Sequence, residues 1–244
     1  MDGPHPSLGD ALRTRWSEDV PRLGRWRTAG ALARAVIKWL LDFRRARRRY
    51  LFGDLDYDFE AGVNTTASTV GHRARLYGAL LGVPYMPTDR SAFEQIMQAL
   101  AIEHRQFTFV DIGSGKGRAL FLAAAFPFRR IVGVEIVPEL HQAAEENIGH
   151  WRERHLNAPD IVSVLGDARE FGFPAEPLVV YLFNPLPEGA LESLVSRLEA
   201  SVAEHPRQVY LIYYNLLLEH VLARSAIFRK VAGTHQWAIY SNLA

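Results

Sequence analysis

Cysteine is absent from the 244 residues, which excludes disulfides, thiolate metal sites and a cysteine nucleophile. Neither sign of charge is in excess: the formal net charge is +1, a balance that singles out no nucleic-acid or acidic partner for the whole chain. No apolar run approaches the ~18 residues that a membrane span requires. The opening MDGPHPSLGDALRTRW lacks the basic-then-apolar layout of a secretory signal. These absences together set the expectation of a cytoplasmic protein. Internal repeats and low-complexity tracts are missing too, and the nine histidines show no ligand spacing, so no metal site is expected.

What is present is ordinary globular composition, 48% hydrophobic and 23% charged, enough for one sizeable domain with an appendage. The charge is distributed unevenly. Residues 1–50 hold 12 Lys+Arg against 5 Asp+Glu, a net of +7, which leaves the remainder at −6. A basic N-terminal extension over residues 1–90 and a ligand-binding domain over 91–244 are the expected units.

Residues 1–28, with scattered Pro and Gly, read as loop or a short helix. Leu32, Val36, Trp39, Leu40 and Phe43 then recur at helical spacing, predicting a helix from Ala29 to about Phe52. Its end carries RRARRRY, which suits a solvated helix terminus, an acidic or RNA partner, or a membrane surface. The apolar stripe of this helix is also a candidate lid over a cleft. The polar stretch GDLDYDFEAGVNTTASTVGH reads as loop, and SAFEQIMQALAIEH as a helix capped by Ser91 with Glu94 at the capping-box position.

From Phe107 onward strand, turn and helix alternate. Strands are predicted at 107–112, 130–136, 161–165, 178–183 and 208–213, with helices near 116–125, 138–154, 188–204 and 215–223. Three of the strands are almost wholly apolar, as in a parallel sheet covered on both faces. The tail AIFRKVAGTHQWAIYSN reads instead as a hairpin added at the sheet edge.

The stretch FVDIGSGKGRAL sets glycines at 113, 115 and 117 just after the first apolar strand. Such a turn lets the backbone reverse tightly and come close to a ligand, while the following helix start offers free N–H groups. A Walker phosphate loop would need Ser or Thr after Lys116, where Gly117 stands, and a dinucleotide fingerprint would need glycine at Arg118. Lys116 and Arg118 themselves read as solvated charges on a helix face. Asp111 can hold loop amides or a ligand ammonium. Glu135, ending the second strand 24 residues later, can accept both hydroxyls of a ribose. Asp167 and Ala168 follow the third strand, where an adenine amino group could be read, and Asn184 and Pro185 follow the fourth, at the mouth where a reacting group would sit. Tyr85, Phe183, Tyr213 and Asn215 are candidates for the substrate side.

This pattern resembles the nucleoside-binding turn of class I S-adenosylmethionine-dependent methyltransferases, and the resemblance runs from Phe107 to Tyr240. FRRIVGVEIVPELHQAAEENI, YLFNPLP and PRQVYLIYYN, with FEAGVNTTA and PYMP upstream, look more narrowly like a largely uncharacterised bacterial methyltransferase family. The resemblance implies an α/β, Rossmann-like, mostly parallel seven-stranded sheet with an antiparallel C-terminal hairpin, plus the N-terminal helical extension. It implies S-adenosyl-L-methionine held at Asp111, Gly113, Ser114, Gly115, Glu135 and Asp167, with Ala168 and Asn184 beside them. Asn184 and Pro185 would aim the acceptor, a nitrogen or oxygen nucleophile of a small molecule or protein. Leu186 departs from the aromatic usual at that position, which argues against a planar nucleic-acid base as acceptor. Two other readings stay open: an enzyme that cleaves the sulfonium to release methylthioadenosine, and a non-catalytic module that binds RNA or an acidic partner.

Overall fold

A computed structural model describes residues 8–46, 55–81, 84–155, 159–183 and 186–243. The alternation of apolar strands with glycine turns and helices builds one seven-stranded sheet, whose strands are β1 (Thr108–Ile112), β2 (Arg130–Glu135), β3 (Ile161–Leu165), β4 (Leu178–Phe183), β5 (Val209–Tyr214), β6 (Arg229–Gly233) and β7 (Trp237–Ser241). Their order is β3-β2-β1-β4-β5-β7-β6, with β7 antiparallel to both neighbours. The predicted hairpin therefore exists, but its second strand inserts beside β5 and leaves β6 on the edge. The strand order reverses between β1 and β4, the place where an open α/β sheet offers a crevice at the carboxyl ends of its strands.

Alternate residues of the central strands feed two cores. Phe109, Val179 and Tyr181 pack on one face with Phe93, Ile96 and Leu120. Val110, Ile112, Val180 and Leu182 pack on the other with Leu194 and Leu198. Burying both faces explains why these strands show no polar alternation.

The helices that flank the sheet are α5 (Arg90–Ala99), α6 (Arg118–Ala123), α7 (Pro138–Arg154), α8 (Glu188–Glu204) and α9 (Glu219–Ala223). The cap of α5 is Asp89, not Ser91: its Oδ1 accepts the Ala92 amide at 2.8 Å, and Ser91 itself donates to Asp89. Glu94 pairs instead with Arg90 at 2.8 Å.

The N-terminal third is more helical than its composition predicts. Leu8–Leu23 forms a 16-residue helix, α1, and Arg25–Ala46 forms α2. Gly24, at φ 80°, joins them and donates its amide to Val20 O at 2.9 Å, a left-handed helix stop. Leu8, Leu12, Trp16, Val20 and Leu23 supply the periodicity, which the surrounding Gly and Pro obscure. The side chains of Trp39, Leu40, Phe43 and the run Arg44–Tyr50 lie outside the described residues. The polar stretch read as loop holds α3 (Leu55–Ala61) and a 3-10 turn at Ala67–Thr69, and runs into α4 (His72–Leu81). Among the described residues no helix is long and apolar enough to cross a membrane.

Candidate functional site

The turn after β1 is built by three left-handed glycines, with φ of 73° at Gly113, 57° at Gly115 and 90° at Gly117. Side chains rarely adopt that region, so the glycines are a backbone requirement. The turn is tied to β2: the Gly113 and Ser114 amides both bond Val134 O, at 2.8 and 3.0 Å. Gly133 on β2 allows this approach, because a Cβ there would come 2.6 Å from Ser114 Oγ. The Gly115 amide donates to Glu135 Oε2 at 2.7 Å and the Gly117 amide to Ser114 O at 2.9 Å. Four amides of the turn, those of Gly113, Ser114, Gly115 and Gly117, are thus already in use. The close approach at Gly115 is also internal. The Tyr85 ring lies where a Cβ would sit, its hydroxyl donating to Thr65 O at 2.6 Å.

A cavity opens beyond the turn. Asp111, Gly113, Ser114, Glu135, Asp167 and Ala168 line it from the ends of β1, β2 and β3. Tyr85, Phe183 and Asn215 line it on the other side. Gly115, under Tyr85, is not on the wall. Tyr213 is not there either: it is fully buried in the opposite core, where its hydroxyl accepts the Leu218 amide at 3.2 Å. Asn184 and Pro185 lie outside the described residues. Leu186, just after them, is on the wall.

Three strand-end carboxylates face this cavity in different states. Asp111 is buried, and among the described residues no donor bonds its side chain. Burial first, and then the Glu135 charge, push its pKa up to about 8. Glu135 is equally buried and raised by desolvation, which three amides oppose: Val137, at 2.8 Å on Oε1, Gly115 on Oε2, and Ile136. Each of its oxygens keeps a second lone pair. For Asp167 burial acts upward, but Arg169 outweighs it and holds the carboxyl below its ordinary range. The Arg169 amide and Nε bond Oδ1 at 2.8 and 3.0 Å, while Nε and Nη2 bond Oδ2 at 3.0 and 2.6 Å.

Lys116 and Arg118 are not solvated. They are 3% and 2% exposed and turn toward the stretch read as loop. Lys116 Nζ bonds Asn64 Oδ1 at 2.9 Å, Thr66 O at 3.2 Å and the Thr69 hydroxyl. Burial lowers its pKa to about 8. Arg118 Nη2 meets Asp58 at 2.9 Å, its Nε bonds the Thr65 hydroxyl, and its guanidinium lies 4.3 Å over the Tyr57 ring. Asp58 also accepts the Thr65 and Thr66 amides at 2.7 and 3.0 Å. Local sequence could not reveal this, since Asp58 and Thr65 meet Arg118, and Asn64 meets Lys116, far along the chain.

A roof completes the cavity. Thr14 and Glu18 of α1 line it with Ala74 and Tyr77 of α4. Burial, helped by Asp167 and Glu135, pushes the Tyr77 phenol up to about 12. Arg22 of α1 reaches Glu188 and Glu192 on α8 at 3.1 and 3.0 Å. The cover thus includes α1, read from sequence as loop or a short helix, and none of the described side chains of α2 is on the wall.

No protein-family model matches the chain, and no curated protein matches it. Solved structures do. The ribosomal protein L11 methylase of Lactobacillus delbrueckii subsp. bulgaricus aligns at 19% identity and TM-score 0.43, over 62% of this chain and 76% of its own. An RNA methyltransferase from Salinibacter ruber, in complex with S-adenosyl-L-homocysteine, aligns at 20% and 0.43, over 64% and 92%. Magnesium protoporphyrin IX methyltransferase from Synechocystis PCC 6803, with bound SAM, aligns at 13% and 0.44, over 62% and 77%. In this chain six strands run parallel and β7 is reversed, a seven-stranded mixed α/β sheet.

Proposed function

We propose that this chain is an S-adenosylmethionine-dependent methyltransferase acting on a nitrogen or oxygen nucleophile of a small molecule or a protein. The observation that carries the reading is the Asp111 carboxylate: buried, on the cavity wall, and without a bonded donor among the described residues. A buried carboxylate without a donor is costly, and a ligand ammonium would relieve that cost. Glu135 stands on the adjacent strand with unused lone pairs, suited to a vicinal diol. Ile136, Val137 and Leu140 line the wall next to it, an apolar surface suited to a flat base.

In this reading Asp111 holds the amino-acid end, Glu135 the ribose, and Ala168 backs the base. When bound, the cofactor supplies an already activated methyl group, so the chain's task is positioning and exclusion of water. Asn184 and Pro185 are assigned to orient the acceptor, with Phe183 and Asn215 flanking it. Asn215 is held at φ 63°, its amide bonded to Gln236 O at 2.8 Å; left-handed backbone of this kind gathers at functional sites.

Titration calorimetry of the full chain with S-adenosylmethionine tests the cofactor assignment, with a micromolar dissociation constant expected. Absence of binding heat across several temperatures sinks it. Labelled methyl groups supplied with pooled metabolites and lysate proteins then test the reaction. Methylthioadenosine formed without any acceptor would replace methyl transfer by sulfonium cleavage.

Protonation gives a further check. The folded Asp111 pKa of about 8 lies above the unfolded value, about 3.9. The stability this group contributes is therefore complete below the unfolded value and is lost as pH rises through 8. Against a ligand ammonium the carboxylate must ionise, so binding near neutrality releases close to one proton. The measured enthalpy should accordingly depend on the ionisation heat of the buffer in the wild type and not in Asp111→Asn. Identical enthalpies in two such buffers would refute the assignment of Asp111.

A further inference from the structure

The sequence pattern assigns Asp167 to the purine amino group, yet both Asp167 oxygens already accept two bonds from Arg169. With Nε shared between the two oxygens, three Arg169 N–H groups take up about three of the four lone-pair sites, so Asp167 has little acceptor capacity left to offer. The next acid on the same wall is Glu18, from the roof helix α1. Its Oε1 lies 3.7 Å from Arg169 Nη1, which places it on the far side of the guanidinium from Asp167. Its Oε2 is buried and has no hydrogen-bond partner. Burial raises the pKa of the group, the mark of a carboxylate that the protein alone does not satisfy.

An exocyclic amino group is a donor and needs an acceptor at the polar end of the apolar surface formed by Ile136, Val137 and Leu140. We infer that Glu18 supplies that acceptor, so that the roof helix, not the strand-end acid, reads the purine amino group. Arg169 acts as the spacer. Held by Asp167 through Nε and Nη2 and facing Glu18 through Nη1, it sets the spacing between the two carboxylates. The inference rests on the cofactor reading given above and deepens it.

The test compares S-adenosylhomocysteine with S-inosylhomocysteine, in which a carbonyl replaces the amino group, by calorimetry on the full chain. Wild type should prefer the adenosyl compound by roughly tenfold or more, because the analogue sets an acceptor against an acceptor. Glu18→Ala should bring that ratio toward one. Glu18→Gln, whose amide can face either group, should fall below wild type. A thermal melt of each variant separates loss of discrimination from loss of the roof, which would weaken both ligands alike. A preference that Glu18→Ala leaves intact, or a wild type that binds both compounds equally, overturns the role of Glu18 and leaves the cofactor reading standing. A wild type that binds neither overturns the cofactor reading itself.

Discussion

Replacing Arg118 by alanine is expected to destabilise the fold by about 3–5 kcal/mol, the usual cost of breaking a buried ion pair from one side. Its partner Asp58 is 8% exposed and would be left in the interior with the Thr65 and Thr66 donors. The cation–π contact with Tyr57 goes at the same time. For a chain of this length each kcal/mol moves the melting temperature by about 2–4 °C, so thermal or urea unfolding reads the effect directly. Arg118→Lys should recover only part of it, since an ammonium cannot serve Asp58 and the Thr65 hydroxyl with one planar fork. Removing both charges, as in Asp58→Leu with Arg118→Met, should cost less than Arg118→Ala alone. A loss below about 1 kcal/mol for Arg118→Ala would mean that the pair behaves like a solvated one, and the buried network would be refuted.

Glu135→Ala carries the largest expected effect on binding. The carboxylate has two tasks: it receives the Gly115 and Val137 amides, and its remaining lone pairs face the cavity. Losing charged hydrogen bonds to a diol weakens binding by about 1.5–3 kcal/mol. Leaving two buried amides unpaired loosens the turn as well, at about 1–3 kcal/mol each. An affinity loss of a hundredfold or more is expected, with a clear drop in melting temperature. Glu135→Gln separates the two tasks. One amide oxygen still accepts a backbone N–H, while the NH₂ opposes the other, so stability should fall less than binding. Affinity within threefold of wild type in Glu135→Ala would remove the ribose assignment.

The glycine turn and the acids at the strand ends were legible because strand, turn and helix are neighbours in the chain. Gly113, Gly115 and Gly117 do adopt left-handed backbone, and the predicted strands match the observed ones to within a residue or so. The reason given for Gly115 was incomplete, since the atoms it admits belong to Tyr85. Tyr213 does not reach the wall, because its side chain is packed among Val180, Leu182 and Leu222. Polar composition hid α3, because Asp58 and the threonines after it form a buried network that looks from sequence like a solvated loop. Scattered Gly and Pro hid α1 in the same way.

By itself the amino-acid sequence determined the βα alternation, the left-handed bend and the line of carboxylates along one edge, all set by spacing and by backbone preferences within about thirty residues. Only the tertiary structure decided how each carboxylate is satisfied. Arg118 meets Asp58 across 60 positions, Arg169 consumes Asp167 yet also faces Glu18 on the roof, and Asp111 is left over. The reason is that a carboxylate's chemistry depends on its donors and its desolvation, and both arrive with chain segments that no local pattern can foresee.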